Sequence, residues 1–296
     1  MRKRLVMVVA LSIAFLTMLS ACGDSSAKIK IGSKNFTESL ILGEMYALAL
    51  EDNDFEVERK LNLGGTLVAH EALKSGEIDV YPEYTGTGLL NIMEEEPLSD
   101  PQEVYDLVAA FYKDEFDLVW LTPSNANNTQ AIAVSRKASE DYGITTLSDL
   151  QEHAERIDFA AVPEFEERED GLPGMNRVYG DFNFKSLKLF DYGVKYRAVL
   201  SDEVQGTVAF GTDGDLTNPE LVLLEDDKNL WPPYFVAPVI RQETLDQDER
   251  IKEILDDISA KLDDQTMQEL NAEVDINQQE YADVAEEFLK DEGLIE

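Results

Sequence analysis

The chain predicts an α/β protein of two lobes joined by two crossings. Three observations carry this. Residues 28–80 read as strand, helix, strand, helix, strand, a succession that implies a parallel sheet with right-handed crossovers. A second run of short strands and helices follows from about residue 131 to 224. Two irregular segments, 124–130 and 231–236, flank that second run, so the chain crosses from one unit to the other and back. Two lobes tied by two crossings form a hinge of the kind that closes around a ligand.

The elements follow in order. Lys28-Ile29-Lys30-Ile31 alternates polar and apolar, as a first strand does. Gly32 to Phe36 is a strand-to-helix loop. Thr37 is the expected N-cap of a helix whose face is Leu40, Ile41, Met45, Leu48 and Ala49. Lys34 therefore precedes a helix N-terminus, where free N–H groups, the helix dipole and the ammonium together attract anions. A second strand spans 55–63 and ends at Gly64-Gly65-Thr66. A helix over 67–74 closes at Ser75-Gly76, and Ile78-Asp79-Val80 is a third strand. Pro82 and Gly86 then mark Tyr81–Thr87 as a loop, which sets two phenols, a carboxylate and hydroxyls at a strand end. Loops at the carboxyl ends of parallel strands form the binding crevice of such folds.

In the second unit, strands are expected at 131–134, 158–162, 187–189, 207–210 and 221–224. Helices are expected at 147–153, from Met175 and at 196–201, with turn chemistry over Asp170-Gly171-Leu172-Pro173-Gly174. Trp231-Pro232-Pro233-Tyr234-Phe235 is a rigid aromatic crossing. The acidic remainder is helical at 244–262, 266–274 and 279–290. Lobe 1 thus comprises 28–127 with 235–296, and lobe 2 comprises 128–234.

Composition narrows the function. The 296 residues carry 61 acids against 25 bases, a net charge of −36, which repels nucleic acid and suits a high-salt setting. The two histidines, His70 and His153, lie outside any metal spacing and read as surface or helix-face residues. There is no nucleophile elbow, phosphate loop or dinucleotide fingerprint. No cofactor, metal or catalytic residue is expected.

The N-terminus reads as a targeting segment: Arg2, Lys3 and Arg4, then an apolar run from Leu5 to Leu16. Leu19-Ser20-Ala21-Cys22-Gly23 resembles a bacterial lipobox, and Cys22 is the sole cysteine. The expectation is a signal peptide over 1–21 and an anchor and linker over 22–27. Acylated Cys22 would then hold the protein on the extracytoplasmic face of the cell membrane.

Seven stretches resemble one family in order along the chain: Gly32–Phe36, Gly64–Thr66, Ala72–Asp79, Tyr81–Thr87, Arg168–Gly174, Thr212–Gly214 and Pro232–Tyr234. The family is the substrate-binding proteins of osmoprotectant ABC transporters, the glycine betaine/carnitine/choline type. The resemblance implies a two-lobed, periplasmic-binding-protein-like fold of type II with parallel-sheet lobes. It also implies a monomer, a quaternary-ammonium ligand and an ABC permease as partner.

A trimethylammonium has no N–H to donate, so ring faces hold it, at about 0.5–2 kcal/mol each. A betaine carboxylate takes charge-assisted donors. Carried over by position, the cage falls on Tyr84, Phe210 and Tyr234, with Gln130 where the family has tyrosine. The carboxylate partners fall on Lys34, Thr87 and Arg168, while Tyr81, Pro82 and Glu83 shape the loop. Lys34 with Arg168 favours a zwitterion over choline, and Gln130 admits a ligand with more hydrogen-bonding groups, such as carnitine or a histidine betaine. The competing readings are a surface-anchored enzyme acting on a small amine and a sensory lipoprotein.

Overall fold

The computed structural model describes residues 28–296, so the targeting segment and Cys22 lie outside the described residues. Among the described residues no helix is long and apolar enough to cross a membrane. The strands are β1 (Ile29–Gly32), β2 (Val57–Lys60), β3 (Val80–Tyr84), β4 (Leu118–Trp120), β5 (Gln130–Ser135), β6 (Asp158–Ala161), β7 (Ser186–Leu189), β8 (Gly206–Phe210), β9 (Leu221–Leu223) and β10 (Val236–Arg241). They form two five-stranded sheets, ordered β2-β1-β3-β10-β4 and β7-β6-β8-β5-β9. Each sheet is the core of one lobe of a two-lobed α/β fold. Both sheets are mixed rather than parallel, which corrects the sequence reading. The cause is the crossing strands: β10 runs antiparallel to β3 and β4, and β5 antiparallel to β8 and β9.

The helices that matter below are α1 (Thr37–Asp52), α2 (Thr66–Ser75), α3 (Pro101–Phe116), α4 (Leu172–Tyr179), α5 (Lys195–Leu200), α6 (Arg250–Ser259), α7 (Asp264–Asp275) and α8 (Tyr281–Asp291). α1 is buried nearly all round because the sheet lies on one side and the C-terminal helices on the other. Ile41, Leu42, Met45 and Leu50 share one core with Ile251, Leu255, Met267 and Leu289. Gly43 lets α1 approach β1 closely, since a Cβ there would lie 3.2 Å from the Gly32 carbonyl. α3 begins where Asp100 accepts from the N–H groups of Gln102 and Glu103, with Pro101 at its first position.

The strand expected to stop at Val80 continues to Tyr84. Pro82 sits in the ladder opposite Pro238. Proline, which has no N–H to donate, is tolerated there because β1 pairs with β3 at Val80 and ends at Gly32, so no β1 carbonyl calls for a donor from residue 82. Only Thr85–Thr87 departs from the sheet, as a helical turn. The strand expected over 55–63 is confined to Val57–Lys60.

The two crossings run side by side. Asn128 N–H donates to the Tyr234 carbonyl at 3.0 Å, and Tyr234 N–H donates to Asn127 Oδ1 at 2.7 Å. Strand ends, helix starts and crossings from both lobes therefore converge on one interlobe space.

Candidate ligand-binding site

That space is a cavity, and all seven sequence candidates line it: Lys34, Tyr84, Thr87, Gln130, Arg168, Phe210 and Tyr234. Tyr84 comes from the end of β3, Phe210 from the end of β8, Gln130 from the start of β5 and Tyr234 from the second crossing.

The rings form a wall. Tyr84, Phe36, Tyr192 and Phe210 follow one another with centroid separations of 6.1, 5.5 and 6.0 Å. The sequence reading missed Phe36 and Tyr192. Tyr234 completes the enclosure, its ring packed so tightly on Gly86 that a Cβ there would meet it at 2.7 Å. The phenol hydroxyls are committed to carboxylates: Tyr84 donates to Glu38 at 2.7 Å and Tyr234 to Asp170 at 2.6 Å. Ring faces, the groups that attract a quaternary cation, remain to be offered. Gln130 stands opposite Phe210 in the antiparallel ladder. Its amide lies beside Asp170 and Tyr234, and its Nε2 is buried without a hydrogen bond of good geometry.

Each buried cation has its own carboxylate. Lys34 Nζ donates to Glu83 Oε1 at 2.5 Å and to Thr66 Oγ1 at 3.2 Å. Glu83 also accepts from the Tyr81 hydroxyl and the Tyr84 N–H. Burial pushes the Lys34 ammonium below its ordinary range, against the pull of Glu83. Arg168 grips Asp170 through two bonds, Nε to Oδ1 at 2.7 Å and Nη2 to Oδ2 at 2.5 Å. Its other contacts are long, 3.3 Å to Thr66 Oγ1 and 3.5 Å to Thr87 Oγ1. Burial opposes the charge of Asp170, yet Arg168 holds its carboxyl below the usual carboxylate range. Lys34, Thr66, Thr87 and Arg168 therefore form one donor-rich pole.

Glu38 escaped sequence reasoning because it is one acid among 61. It is 2% exposed at the start of α1 and accepts four side-chain hydrogen bonds. These come from Tyr84, from Asn128 at 2.8 Å, from Thr212 at 2.5 Å and from Asn271 at 2.9 Å. Its donors span both lobes and a crossing. Burial raises the Glu38 carboxyl, and the four donors pull the other way.

Lys195 was missed as well. Its ammonium lies 4.2 Å from the Tyr196 centroid and 5.2 Å from that of Phe210, held by Asp213 at 2.7 Å. Arg168 also pairs with Glu164 at 3.7 Å, and beyond the pairs made by Lys34, Arg168 and Lys195 the cavity still carries Glu38, Asp215 and Asp275. The surplus is negative, so the site is matched to a cation.

Glu164 of lobe 2 also reaches lobe 1. Its Oε1 accepts the Thr66 N–H at the start of α2, at 3.0 Å, so a carboxylate caps that helix N-terminus. His70, read from sequence as a surface or helix-face residue, is buried at 3% exposure. It sits edge-on to Tyr112 and Phe116 on the inner face of α2, and burial lowers its imidazole to about 4. Among the described residues no group of acidic, histidine or cysteine side chains is arranged to hold a metal ion.

Comparison with known proteins agrees with this architecture. The chain is 36% identical to a glycine-betaine-binding protein of Pseudomonas aeruginosa, over 94% of this chain and 92% of that one. It is 30% identical to a carnitine transport binding protein of Listeria monocytogenes, over 94% and 93%. It is 34% identical to an ergothioneine transport permease/ergothioneine binding protein of Helicobacter pylori over 89% of this chain, which spans about half of that relative, 47%. A crystal structure described as a glycine betaine/carnitine/choline ABC transporter superposes with a TM-score of 0.73 at 29% identity, covering 91% of this chain and all of that one. Residues 27–291 match the family described as the substrate binding domain of the ABC-type glycine betaine transport system, and the chain belongs to that family of transport binding proteins.

Proposed function

We propose that this protein captures a quaternary-ammonium compatible solute between its lobes and delivers it to an ABC permease, tethered outside the cell membrane by acylated Cys22. The observation that carries the reading is the four-ring wall, closed by Tyr234, in a cavity with surplus carboxylates. Rings attract a cation that cannot donate hydrogen bonds, and the acid surplus supplies its counter-charge. Lys34, Thr66, Thr87 and Arg168 form the pole that takes a betaine carboxylate, with Thr66 added to the residues expected from sequence.

A second reading, a choline-type ligand without a carboxylate, is favoured by one observation. Lys34 and Arg168 are already neutralised by Glu83 and Asp170. Calorimetry and thermal shift with glycine betaine, proline betaine, carnitine and choline test both readings. Ligand at 100 times its Kd stabilises the protein by about 2.7 kcal/mol. Tighter binding of the betaines supports the carboxylate pole, and tighter choline binding supports the second reading. Neither heat nor melting shift with any of the four would sink the function.

A further inference from the structure

The cavity is also lined by hydrogen-bond acceptors with acceptor capacity to spare. Asp275 and Asn271 lie four residues apart on α7, hence on one helix face, and both line the cavity. Asp215, from the loop after β8, lines it too, close enough to feel the charge of Asp275. Among the described residues nothing donates a hydrogen bond to the Asp215 carboxylate, whereas Asp275 accepts one, from Thr37 Oγ1 at 2.5 Å. Asn271 is 3% exposed. Its Nδ2 is committed to Glu38 and to the Thr212 carbonyl, both at 2.9 Å, which fixes the amide orientation and leaves Oδ1 without a partner. Asn128, 8% exposed, repeats the pattern: Nδ2 on Glu38, Oδ1 unpartnered. The nearby cation, Lys195, is taken by Asp213.

The Asn271 carbonyl is buried, while Asp215 and Asp275 are half-buried beside it. A buried acceptor is rarely left unmatched in folded proteins, and an unmatched one costs free energy that a donor recovers. Glycine betaine has no N–H or O–H, so it leaves these acceptors as they are. We propose that Asp215, Asp275 and the Asn271 carbonyl form a donor-reading subsite. It accepts an N–H or O–H carried by the ligand away from its quaternary nitrogen, and it selects betaines with such a group over those without one. A hydroxyl or an azole N–H fits this chemistry. The inference rests on the proposed function and names the class of betaine that the site prefers.

Matched ligands test it on the full chain. Carnitine and γ-butyrobetaine differ by one hydroxyl, and histidine betaine and glycine betaine differ by an azole. Calorimetry is expected to show the donor-bearing member of each pair binding at least about tenfold tighter, the scale set by satisfying one buried acceptor. Asp215→Ala and Asp275→Ala are expected to shrink that ratio toward one. Asp275 also holds Thr37, so a melting curve accompanies its variant. Asp215 holds nothing, and Asp215→Ala keeps the test decisive if Asp275→Ala fails to fold. Equal binding within both pairs, or a ratio unchanged in Asp215→Ala and Asp275→Ala, overturns the subsite while leaving quaternary-ammonium binding intact. Absence of binding by all four ligands overturns the proposed function, and the subsite with it.

Discussion

The hydroxyl of Tyr84 donates to Glu38 Oε1 across 2.7 Å, and through that one carboxylate a ring of lobe 1 is tied to Thr212 of lobe 2. Glu38 is thus both the anchor that orients an aromatic wall and a bond across the closed cleft. In Glu38→Ala four donors lose their shared acceptor inside the protein. The expected cost is about 3 kcal/mol of stability with a fall in ligand affinity of about a hundredfold, since charge-assisted bonds are worth about 1.5–3 kcal/mol each. Thermal unfolding and calorimetry read both, and a variant that melts and binds like the wild type would show that Glu38 plays neither part.

Gly65 and Glu164 meet across the lobes. A Cβ at residue 65 would lie 1.4 Å from Glu164 Oε1, so Gly65→Ala cannot coexist with the bond from Thr66 N–H to Glu164. Gly65→Ala is expected to push the Glu164 carboxylate aside and break its bond to Thr66, weakening ligand binding by up to about tenfold. Glu164→Ala removes the same bond, so it is expected to weaken binding alike and to add nothing when combined with Gly65→Ala. Calorimetry on the two single variants and the double variant reads this, and a Gly65→Ala protein that binds like the wild type counts against the contact.

Gln130 faces Phe210 where a further ring would complete the wall. Gln130→Tyr is expected to tighten glycine betaine by about 2- to 30-fold, the worth of one desolvated cation–π contact of about 0.5–2 kcal/mol. Unchanged or weaker affinity in a variant that melts normally would place residue 130 outside the cage.

Ligand binding is expected to release protons. Burial raises the carboxyls of Glu38, Asp215 and Asp275, so each holds its proton to a higher pH than usual. An entering cation favours the ionised forms and lowers those values, so protons leave on binding and affinity rises with pH until the three carboxyls are ionised. Titration calorimetry in two buffers of different ionisation heat counts the protons. Proton uptake, or no buffer dependence, contradicts the assignment.

His70 gives the fold its own acid sensitivity. Burial lowers its imidazole from 6.5 to about 4, so between these values the unfolded chain binds the proton that the folded chain refuses. Stability therefore falls as pH drops through that window, by up to about 1.4 kcal/mol per pH unit and about 3 kcal/mol in all. His70→Gln is expected to melt with a shallower pH dependence between about pH 4 and pH 6.5. Parallel curves for the two proteins would remove His70 as the cause.

Much of the candidate site was legible because its signals are local. Lys34, Tyr84, Thr87, Gln130, Arg168, Phe210 and Tyr234 stand at strand ends, turns and crossings that Gly, Pro and alternation mark over a few residues, and all seven line one cavity. The order of strands and helices was legible for the same reason. Strand direction in the lobe centres was not. β10 reaches β3 from about 150 residues away, and this long-range pairing carries the ladder through Pro82, which local rules read as a stop.

What only the tertiary structure decided is which of many equivalent residues are brought together. Glu38 looks like any of 61 acids, and its four donors lie 46, 90, 174 and 233 residues along the chain. Tyr192 and Lys195 carry no local mark either, and Phe36 was marked only as part of a loop, because a ring or an ammonium becomes part of a binding wall only when both lobes close on it. The sequence by itself determined the elements, the crossings and the polar and aromatic end groups, since those depend on neighbours in the chain. Partnership among buried charges depends on neighbours in space, and only folding sets these.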